Sequence, residues 1–194
     1  MSTQLFTNAH IATGMPSSTA ADTAAIQDIL VEDGKFVSIA PNLKATLEAQ
    51  GQDRASVEVI DLGGKLVCPP FCDTHLHLDY VFTARKPGAV NESGTLFEGI
   101  QRWSETKADL TVDEIKERAK IGIAKEMRHG VQFIRSHADV TDPNLTSLKA
   151  LLELKEELKD TVTLQIVSFP QEGMYSYEGP HGESGADLVE EGLK

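Results

Sequence analysis

The sequence predicts an α/β protein: a small β unit over residues 1–66, then, over 67–194, the first three strands of an incomplete (β/α)8, TIM-type barrel. Three observations carry that expectation. Short apolar runs broken by Gly- and Asp-containing turns fill the first third of the chain, whereas from Leu66 onward apolar segments alternate with stretches of helical periodicity. Each apolar segment of the second part ends on polar, ligand-capable residues: His75 and His77, then His137 and Asp139, then Gln171 and Glu172. In parallel α/β sheets chemistry gathers at the carboxyl ends of the strands, so three such ends in succession suit a barrel. A whole barrel takes ~250 residues, and no fourth strand is legible before Lys194.

In order along the chain, Leu5-Phe6 and His10-Ile11-Ala12 predict two short strand pieces separated by polar Thr7-Asn8, and the Ser/Thr/Ala-rich stretch from Ser17 to Thr23 predicts a loop. Ile26–Val31 and Phe36–Ile39 flank Asp33-Gly34, a pair that favours a two-residue hairpin turn. Leu43–Gln50 predicts one or two helical turns, and Val57–Leu62, Gly63-Gly64 and Lys65–Val67 another pair of strands. The strand ending at His75 and His77 gives way to an irregular stretch containing Pro87, Gly88 and Gly94. A helix over Thr95–Lys107 places Leu96, Phe97, Ile100 and Trp103 on one side. The next helix starts at Thr111, with Glu114 completing a capping box, carries Ile115, Ala119 and Ile123 on one face, and stops at Gly130. A buried strand from Val131 ends near His137, Leu145, Leu148, Leu152 and Leu158 mark an amphipathic helix, and Val162–Phe169 forms the third strand.

Composition narrows the function. With a formal net charge of -12, the chain has no basic stripe to neutralise phosphates, so no nucleic-acid partner is expected. No apolar run approaches the ~20 residues of a membrane helix, and no basic leader precedes Lys35, so the expected location is cytoplasmic. Cys68 and Cys72 lack a second pair and form neither a zinc knuckle nor a disulfide framework; they read as small apolar residues of a buried segment.

The chemistry is concentrated in Val67-Cys-Pro-Pro-Phe-Cys-Asp-Thr-His-Leu-His-Leu-Asp79. Alternate strand residues share a face, so His75 and His77 can converge on one divalent metal ion while Leu76 points into packing. A catalytic zinc or iron commonly has three protein ligands and an open position, which two histidines do not complete. His137 and Asp139 at the next strand end read as groups supporting the first pair, and Asp79 either orients a ligating histidine or does not touch it. Gln171 offers a donor and an acceptor in one plane, suited to the flat edge of a pyrimidine or purine, and serves equally as a turn residue after Pro170. His129 reads as a helix C-terminal charge; His10 and His181 carry no signal.

Three segments, Pro69-Pro-Phe-Cys-Asp-Thr-His-Leu-His-Leu-Asp79, Ser93-Gly-Thr-Leu-Phe-Glu-Gly-Ile-Gln-Arg-Trp103 and Leu164-Gln-Ile-Val-Ser-Phe-Pro-Gln-Glu-Gly173, resemble in order and spacing the bacterial-type cytosine deaminases of the amidohydrolase superfamily. The likeness runs from about Leu66 to about Tyr177, and residues 1–66 agree in character with that family's small β-sandwich-like unit. The resemblance implies metal-dependent deamination of a small nucleobase-like substrate, most simply cytosine, with one iron or zinc ion held by His75 and His77. Gln171 would then hydrogen-bond the pyrimidine edge and Leu96 would line the pocket. A homo-oligomer is compatible with it. The family's remaining metal ligands and its acid/base Glu and His lie on later strands, so no catalytic acid or base is identifiable in this sequence. The expectation is therefore an N-terminal half of such an enzyme. Its rivals are a sister activity on a triazine or modified pyrimidine, or a truncated, non-catalytic chain.

Overall fold

A computed structural model describes residues 2–11, 26–49 and 57–194. The loop expected at Ser17–Thr23 and the end of the helix expected at Gln50 lie outside the described residues. The chain divides into two compact units, Met1–Pro69 and Pro70–Lys194.

In the first unit, β1 (Thr3–Ile11), β2 (Ile26–Glu32), β3 (Lys35–Ala40), β4 (Val57–Asp61) and β5 (Leu66–Val67) form one mixed sheet in the order β3-β2-β1-β4, with β5 also on β1; the short helix α1 (Leu43–Ala49) follows β3. The hairpin expected at Asp33-Gly34 is present. Both residues have positive φ, 47° and 77°, the backbone of a two-residue turn whose twist matches the strands. The two pieces expected around Thr7-Asn8 are one strand instead. Asn8 takes φ 57° at a bulge in the β1–β2 register, and its side-chain amide donates to Asp61 while its backbone N–H donates to Asp28. Asn tolerates that left-handed conformation, so the strand bends without ending. The strands either side of Gly63-Gly64 do not pair with each other; each lies parallel to β1, at Thr3–Thr7 and at His10–Ile11.

In the second unit, β6 (Phe71–Leu76), β7 (Val131–Asp139) and β8 (Thr163–Phe169) make a parallel sheet in that spatial order. Between β6 and β7 run α2 (Leu96–Lys107) and α3 (Val112–Arg128); α4 (Thr146–Glu157) joins β7 to β8, and α5 (Gly185–Gly192) follows. The capping box at Thr111 and Glu114 is formed. Ile115, Ala119 and Ile123 of α3 are buried with Ile134, Leu164, Leu148, Leu151 and Leu154 in one core.

Two helix faces differ from expectation. On α2 only Trp103 is buried, while Leu96 and Phe97 are 74% and 83% exposed because the first turn stands clear of the sheet. On α4 the buried stripe is Leu148, Leu151 and Leu154, and Leu152 is 47% exposed. Leucines at 145, 148, 151, 152, 154 and 158 supply two overlapping helical stripes, and the sheet takes the one centred on Leu151. The loop after β6 includes a 3-10 turn at Thr83–Arg85 and is tied to α3 by Arg118, which donates to the carbonyls of Asp79 and Val81. Among the described residues no helix is long and apolar enough to cross a membrane.

Candidate metal and ligand site

β6 sends alternate side chains to opposite sides, so Leu76 packs against the core while His75 and His77 come together at the strand's carboxyl end. Their Nε2 atoms are 3.3 Å apart. Two nitrogens ~2.0–2.1 Å from a tetrahedral ion sit ~3.3–3.4 Å from each other, so the pair fits one edge of such a coordination shell. His77 Nδ1 lies 3.1 Å from the backbone carbonyl of His137. A carbonyl only accepts, so that nitrogen carries the proton and His77 Nε2 presents a lone pair. Burial, reinforced by the neighbouring His75, holds the His77 pKa below the ordinary imidazole value, and the neutral ring is the form a metal needs. Asp73 accepts the backbone N–H of His75, fixing the turn of chain that carries it.

His137 meets the pair in two ways. Its carbonyl orients His77, and its ring stacks on that of His75 with centroids 4.2 Å apart. Its Nδ1 is buried without a hydrogen-bond partner, and burial together with His75 lowers its pKa.

Asp79 and Asp139 spend their hydrogen bonds elsewhere. Asp79 accepts the N–H of Asp139 on one oxygen, and its other oxygen is buried and unpartnered. Burial pushes its pKa up to about 7, with the nearby Asp139 charge adding to the rise. Asp139 is a hub. Its Oδ2 accepts from the Trp103 indole at 2.7 Å and from Lys107 Nζ at 2.9 Å; its Oδ1 accepts from the backbone and hydroxyl of Thr141 and from the backbone N–H of Gln171. Neither carboxylate hydrogen-bonds an imidazole: Asp79 accepts from the Asp139 backbone, and Asp139 is taken up by Trp103, Lys107, Thr141 and Gln171. Among the described residues no group of three or more His, Cys, Asp or Glu gathers to hold a metal ion.

The histidine pair and Gln171 border one cavity of about 560 Å3, to which Leu96, Trp103 and Phe169 also contribute. The exposed Leu96 therefore faces this space. The aromatic side of it was not legible in the sequence: Tyr80 stacks on His77 and touches Trp103, and Phe169 meets both His77 and His137 edge-on. The sequence placed Trp103 on one side of the 95–107 helix and gave Lys107 only as its last residue. Nothing local marks either for a shared carboxylate more than thirty residues away.

Comparison with known proteins gives a consistent picture. A model of the amidohydrolase family matches residues 58–190. The chain is 30% identical over 154 residues to N-isopropylammelide isopropyl amidohydrolase of Pseudomonas sp. strain ADP, covering 77% of this chain and 36% of that protein. It superposes on 5-methylcytosine deaminase from Klebsiella pneumoniae liganded with 5-fluorocytosine, with a TM-score of 0.78 and 38% identity, over 97% of this chain and 40% of that one. N-isopropylammelide isopropylaminohydrolase from Burkholderia multivorans shares the fold, with a TM-score of 0.71 at 22% identity, over 100% of this chain and 43% of that one. The chain thus spans about two fifths of the length of these relatives. The resemblance read from the three sequence segments is borne out at the level of the superfamily and its deaminases.

Proposed function

The chain belongs to the amidohydrolase family, and from that premise we propose that it serves the hydrolytic deamination of an aminated heterocycle, with cytosine to uracil plus ammonia as the leading case. The observation that carries this reading is the convergence of two imidazole Nε2 atoms, 3.3 Å apart, on the cavity that Gln171 also borders. In this reading residues 67–194 are the first three strands of a (β/α)8 barrel and residues 1–66 a β-sandwich-like unit.

His75 and His77 would hold one zinc or iron ion. When bound, such an ion lowers the pKa of water towards ~7 and so supplies hydroxide near neutrality. The residues of the chain do the rest of what is proposed. His137, through its carbonyl, keeps His77 in the tautomer that presents Nε2. Gln171 pairs its amide with the ring's carbonyl and nitrogen edge, a contact that rejects rings lacking those groups because it would leave the amide unpaired. Leu96, Trp103 and Phe169 supply apolar surface for the flat ring and limit the entry of bulk water. In the net reaction a water oxygen bonds to the amino-bearing ring carbon, the exocyclic carbon–nitrogen bond breaks, and the two water protons leave the oxygen, one for the adjacent ring nitrogen and one completing ammonia. Those transfers need a general acid/base, a role for which the described residues offer no assigned group.

A sister specificity is favoured by one observation of its own. The relatives include proteins named for a methylated cytosine and for an ammelide, so a 5-substituted pyrimidine or a triazine is the second reading. Release of ammonia from cytosine and 5-methylcytosine, and of isopropylamine from N-isopropylammelide, by the zinc- or iron-loaded full-length enzyme tests both. The expected result is release from at least one ring, abolished in His75→Ala. Absence of turnover on every ring by the metal-loaded full-length enzyme would overturn the proposal.

A further inference from the structure

We infer that Lys107 is a positioning residue for ring recognition: by clamping Asp139 to Glu172 it sets both Trp103 and Gln171 against the cavity. The inference rests on the proposed role of Gln171. Lys107 ends α2, yet its side chain is only 11% exposed and its ammonium donates to three oxygens on two other segments: Asp139 at the end of β7 with Thr141 just beyond it, and Glu172 after β8. Gln171 is consequently held from both sides. Its own backbone N–H donates to Asp139 Oδ1, and the next residue, Glu172, is fixed by Lys107 and by the Ser104 hydroxyl at 3.0 Å. The same Asp139 carboxylate takes the indole N–H of Trp103. One carboxylate, 1% exposed, therefore ties the recognition loop to the aromatic wall that faces it.

The charges make Lys107 the keystone of this arrangement. Asp139 and Glu172 both approach its ammonium, so its removal leaves two carboxylates facing each other with little water to screen them. Asp139 is 1% exposed and keeps four other donor contacts, whereas Glu172 is 27% exposed, so the loss falls on the Glu172 loop and on Gln171 beside it. His75 sits on β6 and His77 just beyond it, and the hydrogen bonds that fix them, to Asp73 and to the His137 carbonyl, do not involve Lys107. Ring binding and metal binding are thereby separable.

Backbone and indole hydrogen exchange followed by NMR tests the clamp without any ligand, since Trp103 is the only tryptophan and gives one indole signal. In Lys107→Met the Gln171 amide and the Trp103 indole should exchange about tenfold faster or more, the loss expected for a charge-assisted hydrogen bond, while Ile134 and Leu164 amides stay within about twofold. Lys107→Arg should recover most of that protection. Should Lys107→Met not fold, Glu172→Gln keeps the Lys107–Asp139 contact and should speed only the Gln171 amide. A second measurement on the same variants compares the dissociation constant for 5-methylcytosine, read from Trp103 fluorescence, with that for zinc, read by calorimetry. Ring affinity should fall about tenfold in Lys107→Met with zinc affinity unchanged. Unaltered exchange at Gln171 in both variants, or parallel loss of ring and zinc affinity, overturns the inference. If the unmodified protein binds no ring while the exchange pattern holds, the clamp stands and it is the proposed function that fails.

Discussion

At His77 the two ring nitrogens are distinguished by their neighbours: the carbonyl of His137 claims the proton on Nδ1, and Nε2 is left facing His75. The spacing of the two histidines was legible in the sequence because a strand repeats every two residues. The tautomer was not, since it depends on a carbonyl sixty residues further along the chain. A second residue shows how a local motif can be tested at this scale. Glu98, in the first turn of α2, accepts the backbone N–H groups of Glu92 and Ser93. Hydrogen bonding to Ser93 foremost, then to Glu92, holds its pKa down to about 2 against an ordinary 4.5. A carboxyl with a depressed folded pKa contributes stability above its unfolded value and loses it as pH falls through the folded one. The 91–98 segment should therefore hold its form above about pH 4.5 and loosen as pH drops towards 2. A carbon-detected NMR titration of Glu98 should show a midpoint near 2; a midpoint at 4.5 would mean those N–H groups are not bound in solution.

Helices and strands were read with uneven success, and the failures have a common cause. The α3 capping box and the Asp33-Gly34 turn are local devices, complete within four residues, and both form as the sequence implies. On α4 the expected Leu145, Leu148 and Leu158 do pack on the core and only Leu152 does not, because two leucine stripes coexist and only the partner sheet selects between them. The selection has a measurable consequence. Leu151→Ala, at a fully buried position, should cost about 2–5 kcal/mol of unfolding free energy. Leu152→Ala, on the exposed side, should change it by no more than about 0.5 kcal/mol. Denaturant unfolding of the two variants checks this, and equal losses would contradict the packing described for α4. The bulge in β1 belongs to the same class of feature. Thr7-Asn8 looks like a break, yet Asp28 and Asp61, from strands on either side, anchor Asn8 and carry the strand through it.

For the molecule as a whole, the consequential features are exposed aromatic side chains on the sheet and charge. β6 and β8 are the outer strands of a three-stranded parallel sheet, and Phe71 and Phe133 on that sheet are 61% and 46% exposed. Parallel sheets are ordinarily covered on both faces and exposed apolar surface invites association, while a net charge of -12 opposes it by repulsion. Self-association should therefore grow with protein concentration and also with ionic strength, as salt shortens the reach of that repulsion to ~8 Å near physiological strength. Sedimentation velocity at low and high salt is the check; a salt-independent monomer up to ~100 μM would refute it. By itself the sequence determined what repeats over a few residues: the alternation of strand and helix, the two-residue histidine spacing, the caps and turns, and the three segments that resemble the superfamily. Only the tertiary structure decided which leucine stripe is buried, that Asp139 serves Trp103, Lys107 and Gln171 rather than the histidines, and that an aromatic wall stands opposite the recognition loop. Those outcomes depend on which distant groups compete for one buried carboxylate or one sheet face, and that competition is resolved by packing rather than by sequence period.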